Sequence, residues 1–196
     1  EKVAKAVKLP AGYKITWNGD FENQKRATAR LAQVVPISVL LIFIILYVLF
    51  GNARDAGLVL TNVPFAAVGG ILILLITHTN FSISAGIGFI CLFGICIQNG
   101  VIMLMDIKHF VRHRYPLPEA VTRGMHSRIR SVLMTAMMAT LGLMPAALSH
   151  GIGSESQRPL ATVIIGGLVG ATIFTLFVFP LFVERIYSHV NLKKMK

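Results

Sequence analysis

The residues best placed to do chemistry are polar side chains that interrupt long apolar stretches. Gln98 and Asn99 lie near the middle of the mostly apolar run 84–105. A run of about 20 apolar residues is long enough to cross the hydrocarbon core of a bilayer as a helix. An unpaired polar group inside lipid costs several kcal/mol, so we expect both amides to face other helices or a hydrated path.

A second polar pair lies at the start of the next apolar run. Arg128 and Thr135 are seven residues apart, so they lie nearly one above the other on a helix. We interpret Gln98, Asn99, Arg128 and Thr135 as a hydrogen-bonded polar strip between two helices, beside an ion path. The alternative is that these side chains only hold the helices together, with hydrogen bonds of about 0.6–2 kcal/mol each. The residues alone fit both interpretations equally.

The titratable side chains do not lie where a membrane reaction would need them. Every Asp, Glu and His lies outside the middle of the apolar runs. If the protein uses protons, the groups that change protonation must belong to a part outside this sequence. No HExxH zinc-protease pattern and no GxSxG nucleophile turn occurs. We therefore expect no catalytic residues, no enzyme activity and no cofactor.

Two patterns suggest metal ligands, and each has a simpler explanation. His109 and His113 are four apart, which is the spacing for two ligands on one helical face. However, Arg112 and Arg114 would repel a divalent cation, and no acid completes the site. A Met-rich run could form a soft-metal track, but Met also fills gaps in packing; it comprises Met134, Met137, Met138 and Met144. We therefore predict no metal site in this sequence.

Composition decides the class of protein. Hydrophobic residues make up 55% of the chain and its mean hydropathy is +0.70, which excludes an ordinary soluble domain. The net charge of +11 could suggest nucleic acid. Lys and Arg instead cluster beside the apolar runs, as in membrane proteins, so we expect contact with lipid and no nucleic acid.

The apolar runs predict an all-α polytopic membrane protein with five transmembrane helices. The transmembrane domain is expected at 34–186 and the tail at 187–196. The longest connection, 106–130, is predicted to be a loop with an amphipathic surface helix near its end. The five spans are expected at 34–50, 58–76, 84–105, 131–148 and 160–183.

The polar segment 1–33 precedes the first span. Tyr13, Ile15 and Trp17 alternate with polar residues, which predicts a short strand, and 21–33 predicts a helix. These elements cannot bury a core alone, so we interpret 1–33 as the short α/β end of a soluble domain. Since the sequence begins with Glu, we also interpret the chain as a piece of a longer protein.

Charge predicts the orientation of the five spans. With the carboxyl terminus inside, the inner segments hold 11 Lys and Arg and the outer segments 8, of which 7 lie in 1–33. Soluble domains cross the membrane largely regardless of charge, so only the short loops count strongly. The count without 1–33 is 11 inside against 1 outside. We therefore predict that the tail and loop 106–130 are cytoplasmic and that 1–33 is periplasmic.

Several motifs resemble heavy-metal efflux pumps of the resistance-nodulation-division superfamily, in particular the cobalt–zinc–cadmium type. The resemblance covers nearly the whole chain. The motifs are Leu9-Pro-Ala-Gly-Tyr13, Trp17-Asn-Gly-Asp-Phe-Glu-Asn23, Arg30-Leu-Ala-Gln-Val-Val-Pro36, Asn99-Gly-Val101, Arg130-Ser-Val-Leu-Met-Thr135 and Glu155-Ser-Gln-Arg-Pro-Leu-Ala-Thr-Val-Ile-Ile-Gly-Gly167.

The resemblance implies function and partners. Such pumps are homotrimers of the bacterial inner membrane that exchange protons for substrate, together with a periplasmic adaptor and an outer-membrane channel. This chain would be a C-terminal fragment, comprising the last five spans and the end of the periplasmic porter domain. It would need the N-terminal half of the same pump, and the exported ions would be Zn²⁺, Co²⁺ or Cd²⁺.

The resemblance also suggests roles for single residues. Multidrug relatives carry a Lys at the position of Gln98. A Gln side chain cannot be protonated, so the match to the drug-pump mechanism fails at this position. Arg128 and Thr135 match an Arg and a Thr of the family. We expect four residues to be neighbours of the proton path: Gln98, Asn99, Arg128 and Thr135. The alternatives are a drug or organic-solute pump of the same superfamily, and a non-transporting scaffold or decayed fragment.

Overall fold

The computed structural model describes residues 20–79, 81–149, 151 and 154–188, and these residues are helical apart from short connections. A π-helical segment, Phe174–Val178, joins the last two helices. The α-helices in this part of the chain are α1 Asp20–Phe50, α2 Ala53–Leu60, α3 Asn62–Ile76, α4 Ile83–Arg112, α5 Leu117–Leu148, α6 Gln157–Ile173 and α7 Phe179–Ser188.

These helices form five spans that are long and apolar enough to cross a membrane. The first span is α1, the second is α2 with α3, the third is α4 and the fourth is α5. The fifth is α6, the π segment and α7. The described residues contain no β-strand, which confirms the predicted all-α membrane fold. The strand predicted at 13–17 lies outside the described residues.

The second span consists of two helices because the chain has a break at Thr61. Pro64 lacks an amide hydrogen, and its ring would clash with the carbonyl of Leu60 in a regular helix. The Thr61 hydroxyl donates to the carbonyl of Leu58 at 2.6 Å at this break. The break lies directly before Asn62, which is one of the few buried polar residues.

The fifth span forms the centre of the bundle. In its most apolar window, 61% of the residues are buried, against 6% in the first span and 6% in the fourth. The fifth span packs against the second, third and fourth spans, and its interface with the second is the largest. The first and fourth spans therefore lie at the outside of this chain, with most of their apolar surface uncovered by it.

Small residues allow the second and fifth spans to approach closely. A β-carbon on Gly69 would lie 2.8 Å from the carbonyl oxygen of Gly166, and one on Gly170 would lie 3.0 Å from the α-carbon of Gly69. Beside this contact, the rings of Phe65 and Phe174 stack with their centroids 3.9 Å apart. The GxxxG spacing of Gly166 and Gly170 therefore marks a real helix–helix contact.

The expectation of a loop at 106–130 was wrong. The third span continues as a helix to Arg112, and α5 begins at Leu117, so the connection is a turn of four residues. The predicted amphipathic helix exists, but it is the first part of α5 and is continuous with the fourth span. The reason is packing: Ile107 is fully buried and lies against Gly124, so the two helices remain in contact beyond their apolar runs.

The tail was predicted to begin at Tyr187. This residue belongs to α7 and is buried, because its ring packs in the core and its hydroxyl reaches the second span. Residues 189–196 lie outside the described residues. The membrane boundaries and the domain division at 33 and 34 stay predictions.

Candidate functional site

Polar contacts between the spans lie at two levels. The end level lies near one end of the bundle and comprises Asp55, Asp106, Lys108, Arg128 and Tyr187. The middle level lies nearer the centre of the spans. Each of its members lies on a span that also carries a residue of the end level. The members are Asn62, Gln98, Asn99, Thr135 and Thr175.

Helix geometry fixes the separation of the two levels. Seven residues separate Asp55 from Asn62, and seven separate Arg128 from Thr135. Seven residues of α-helix rise about 10 Å and return the side chain to nearly the same face. The middle level therefore lies about two helical turns from the end level, nearer the centre of the apolar spans.

The end level holds a buried carboxylate. Asp55 is buried, and its Oδ2 accepts from Lys108 Nζ at 2.5 Å, while its Oδ1 accepts from the hydroxyl of Tyr187. The ammonium group of Lys108 also lies 5.3 Å from the ring centroid of Phe50 in the first span. The cluster thus joins four spans, and both carboxylate oxygens have partners. This arrangement neutralises the buried charge, which would otherwise be costly.

A second ion pair at the end level joins the third and fourth spans. Arg128 Nε lies 2.5 Å from Asp106 Oδ2, and Arg128 Nη2 lies 2.7 Å from Oδ1. This bidentate geometry fixes the orientation of both side chains. Within the described residues it is the one polar side-chain contact between these two spans, and one of its members, Arg128, belongs to the predicted polar strip.

The buried half of the middle level joins the second and fifth spans. Thr175 Oγ1 donates to Asn62 Oδ1 at 3.0 Å, and Asn62 Nδ2 donates to the carbonyl of Val59 at 2.9 Å. Both side chains are almost completely buried, at 0% and 1% exposure. A β-carbon on Gly100 of the third span would lie 2.6 Å from Asn62 Nδ2, so the backbone of the third span packs directly on this amide.

The exposed half of the middle level contains three of the predicted site residues. Gln98 and Thr135 are exposed in this chain and Asn99 is half-buried. The hydroxyl of Thr135 donates to the carbonyl of Ser131 in its own helix at 3.0 Å. Within the part of the chain that the structure describes, the side-chain amides of Gln98 and Asn99 have no hydrogen-bond partner.

Among the described residues, no hydrogen bond joins two members of the predicted strip. Arg128 has a partner on the third span, but that partner is Asp106 rather than Gln98 or Asn99. Asn99 precedes Asp106 by seven residues, and Thr135 follows Arg128 by seven. Because consecutive spans run in opposite directions, Asn99 and Thr135 lie at about the same level, but no hydrogen bond joins them within the described residues. Their predicted role beside a proton path stays a prediction.

Sequence reasoning missed the Asp55 cluster and the Asn62–Thr175 pair. Asp55 is separated from Lys108 by 53 residues and from Tyr187 by 132, so no local spacing reveals the cluster. The signal for Asn62 and Thr175 was present, since both are polar residues within or beside apolar runs, as Gln98 is. What the sequence lacks is the pairing of the spans.

The two suggested metal patterns show no metal geometry. The rings of His109 and His113 lie 4.3 Å apart, but His113 Nδ1 hydrogen-bonds to the carbonyl of His109 at 2.8 Å. Among the described residues, no group of three or more His, Cys, Asp or Glu could hold a metal ion. The four methionines of the fourth span are exposed in this chain: Met134, Met137, Met138 and Met144.

Five long apolar helices with a buried central span define a multi-pass helical membrane protein. Residues 1–186 match the model of the AcrB/AcrD/AcrF family, and the chain belongs to this family. Together with the relatives and solved structures below, this match confirms the resemblance to heavy-metal efflux pumps of the resistance-nodulation-division superfamily.

Several relatives share this part of the pump. The chain is 48% identical over 174 residues to the cobalt-zinc-cadmium resistance protein CzcA of Cupriavidus metallidurans, covering 89% of the chain and 16% of that protein. It is 46% identical over 179 residues to the nickel and cobalt resistance protein CnrA of the same species, covering 91% of the chain and 17% of that protein. The chain thus spans about a sixth of the length of these relatives.

The fold is also that of a solved pump. A crystal structure of a heavy metal efflux pump matches 96% of this chain and 18% of its own chain, with 42% identity and a TM-score of 0.79. A second crystal form of a heavy metal efflux pump matches 97% of this chain, with 40% identity and a TM-score of 0.77. The arrangement of spans described above is therefore shared with experimental structures.

Proposed function

We propose that this chain is the membrane segment of a proton-driven exporter of divalent heavy-metal ions. The observation that carries the proposal is the 48% identity to a cobalt-zinc-cadmium resistance protein across 89% of this chain. The exported ions are Zn²⁺, Co²⁺ or Cd²⁺, as cargo rather than as a resident metal. The protein acts as an antiporter and not as an enzyme, and it needs no cofactor.

The exposed half of the middle level is the part of this chain that serves transport. Gln98 and Thr135 present polar groups at the centre of two apolar spans, where contact with lipid would cost free energy. We place the remainder of the pump against this face, with a proton path beside Gln98, Asn99 and Thr135. The acids that change protonation lie in that remainder.

Arg128 is the fourth neighbour of the proton path. An Arg side chain stays protonated at every physiological pH, so it supplies a fixed positive charge and carries no proton itself. Its bidentate bond to Asp106 holds that charge at the end of the third and fourth spans. In this position it orders water at the end of the path and keeps the two spans in register.

We further propose the location and assembly of the whole pump. It lies in the bacterial inner membrane with 1–33 in the periplasm and the carboxyl terminus in the cytoplasm, as the charge asymmetry supports. It forms a homotrimer and works with a periplasmic adaptor and an outer-membrane channel, as the resemblance to such pumps implies.

Transport by the full-length pump in lipid vesicles tests the proposal. The pump is reconstituted without its partners, a proton gradient is imposed, and uptake of Zn²⁺, Co²⁺ and Cd²⁺ is measured separately. We expect uptake of at least one ion that stops when the gradient is dissipated, together with proton movement in the opposite direction. Gradient-driven movement of an organic dye without metal uptake would establish the organic-solute pump instead. Movement of neither would support the non-transporting scaffold.

A further inference from the structure

Asn62 occupies a junction of three spans. It lies in the second span, accepts a hydrogen bond from Thr175 of the fifth, and contacts Gly100 of the third. Its side chain has 0% exposure, and both its oxygen and its nitrogen have partners. The hydrogen bond to Thr175 is buried, so a shift of the fifth span away from Asn62 would leave a polar atom unpaired.

The contact on the third span lies beside the predicted site. Gly100 directly follows Gln98 and Asn99, and it is buried against Asn62 and Val59. The side-chain amide of Asn62 therefore packs against the buried face of this helical turn, and Gln98 lies on the exposed face of the same turn. Moving Asn62 would move or rotate that turn.

The contact on the fifth span lies in irregular backbone. Thr175 is the second residue of the π-helical segment Phe174–Val178. Short π segments replace the regular helical hydrogen bonds by i→i+5 bonds and are frequent at functional sites. The bond to Asn62 therefore anchors the fifth span at the point where its backbone departs from a regular α-helix.

We propose that Asn62 and Thr175 are positioning residues that hold residues 98–100 of the third span at the depth and rotation that proton-coupled transport requires. The proposal rests on the proposed function as an exporter. Neither residue touches cargo or carries a proton. They act through Gly100, and the π segment gives the fifth span the freedom to move with the third during transport.

A second buried threonine on the fifth span provides a matched control. Thr162 is buried like Thr175, but its hydroxyl donates to the carbonyl of Arg158 in its own helix at 2.8 Å. Removing this hydroxyl breaks no bond between spans. Val has nearly the shape of Thr, so Thr175→Val and Thr162→Val each remove a hydroxyl with little change in volume.

The first test measures transport by the full-length pump in vesicles. We expect Thr175→Val to lower the maximal rate of Zn²⁺ uptake by about fivefold or more with the KM for Zn²⁺ unchanged, and to shift the pH dependence of the rate. Thr175→Ser keeps the hydroxyl and should retain most of the rate. Thr162→Val should stay within about twofold of the unchanged pump. Equal effects of Thr175→Val and Thr162→Val, or a changed KM alone, would overturn the proposal.

The second test does not depend on transport. Amide hydrogen exchange is measured on the same purified full-length variants. We expect Thr175→Val to speed exchange both in 174–178 and in 98–101, and Thr162→Val to leave 98–101 unchanged. Faster exchange in the fifth span alone would refute the junction. If the unchanged pump moves no metal ion, the proposed function fails, while the exchange data still decide whether Asn62 and Thr175 hold the third span.

Discussion

The end level and the middle level contain similar numbers of polar side chains, but they satisfy them differently. At the end level every carboxylate has a cationic partner within the chain, through Asp55 with Lys108 and Asp106 with Arg128. At the middle level the Asn62–Thr175 pair is closed, whereas Gln98 and Thr135 are open to the outside of the chain. The two levels are only about 10 Å apart along the spans.

This difference separates folding from function. A closed polar cluster is complete in the chain that carries it, so it holds the register of these spans without a further partner. An open polar face at the centre of an apolar span requires a partner, because lipid cannot satisfy it. We therefore assign the Asp55 cluster to holding the bundle together and the open face to contact with the rest of the pump.

The largest effect is expected from breaking the Asp55 cluster. Asp55→Asn leaves the ammonium group of Lys108 buried without its counter-charge, since 13% of that side chain is exposed. Loss of one partner of a buried ion pair costs about 3–5 kcal/mol of unfolding free energy. Thermal unfolding of the purified full-length pump measures this loss. The double variant Asp55→Asn with Lys108→Met should recover much of it, and no recovery would contradict an ion pair as the main interaction.

A smaller loss is expected from crowding the closed half of the middle level. Gly100→Ala places a methyl group 2.6 Å from Asn62 Nδ2, where the side chain has no room to move. Overpacking of this kind costs about 1–3 kcal/mol. The control is Gly57→Ala in the second span, where a β-carbon meets nothing within 4 Å. Equal unfolding temperatures for the two variants would show that the contact with the third span is loose.

Breaking the ion pair of Arg128 and Asp106 should change the unfolding free energy only slightly and transport more strongly. Its side chains are 32% and 19% exposed, so the loss of unfolding free energy in Arg128→Gln should be about 1 kcal/mol. Arg128→Lys keeps the positive charge but not the bidentate geometry. We expect metal resistance in cells to fall in the order unchanged pump, Lys variant, Gln variant. Full resistance of the Gln variant would remove Arg128 from the proton path.

The sequence is sufficient to predict the membrane class and the five spans, because a run of apolar residues reports directly on length and burial in lipid. The GxxxG spacing of Gly166 and Gly170 also coincides with the close contact between the second and fifth spans. The sequence does not predict where the helices end, because polar residues continue them beyond the apolar runs. Ile107 and Tyr187 are buried there by packing that no local pattern reveals.

Of the candidate site, the sequence indicates the open face but not the residues that are paired between spans. Gln98, Asn99 and Thr135 stand out because they interrupt apolar runs, and the structure leaves them open. Asn62 and Asp55 belong to the same two levels, but their importance depends on partners in other spans. Such pairings depend on how the helices are arranged in three dimensions, and a single sequence does not contain that information in its spacing.

Replacing Thr135 by Ala most directly tests the central claim that the open face serves transport. Within the described part of the chain, its hydroxyl bonds only to the carbonyl of Ser131 in its own helix, so the cost in unfolding free energy should be below about 0.5 kcal/mol. The measurement is resistance of cells to Zn²⁺, Co²⁺ and Cd²⁺, relative to the amount of full-length pump in the membrane. We predict lower resistance with an unchanged amount of pump. Resistance and amount falling together would mean that Thr135 only holds helices together, and unchanged resistance would contradict a role for the open face.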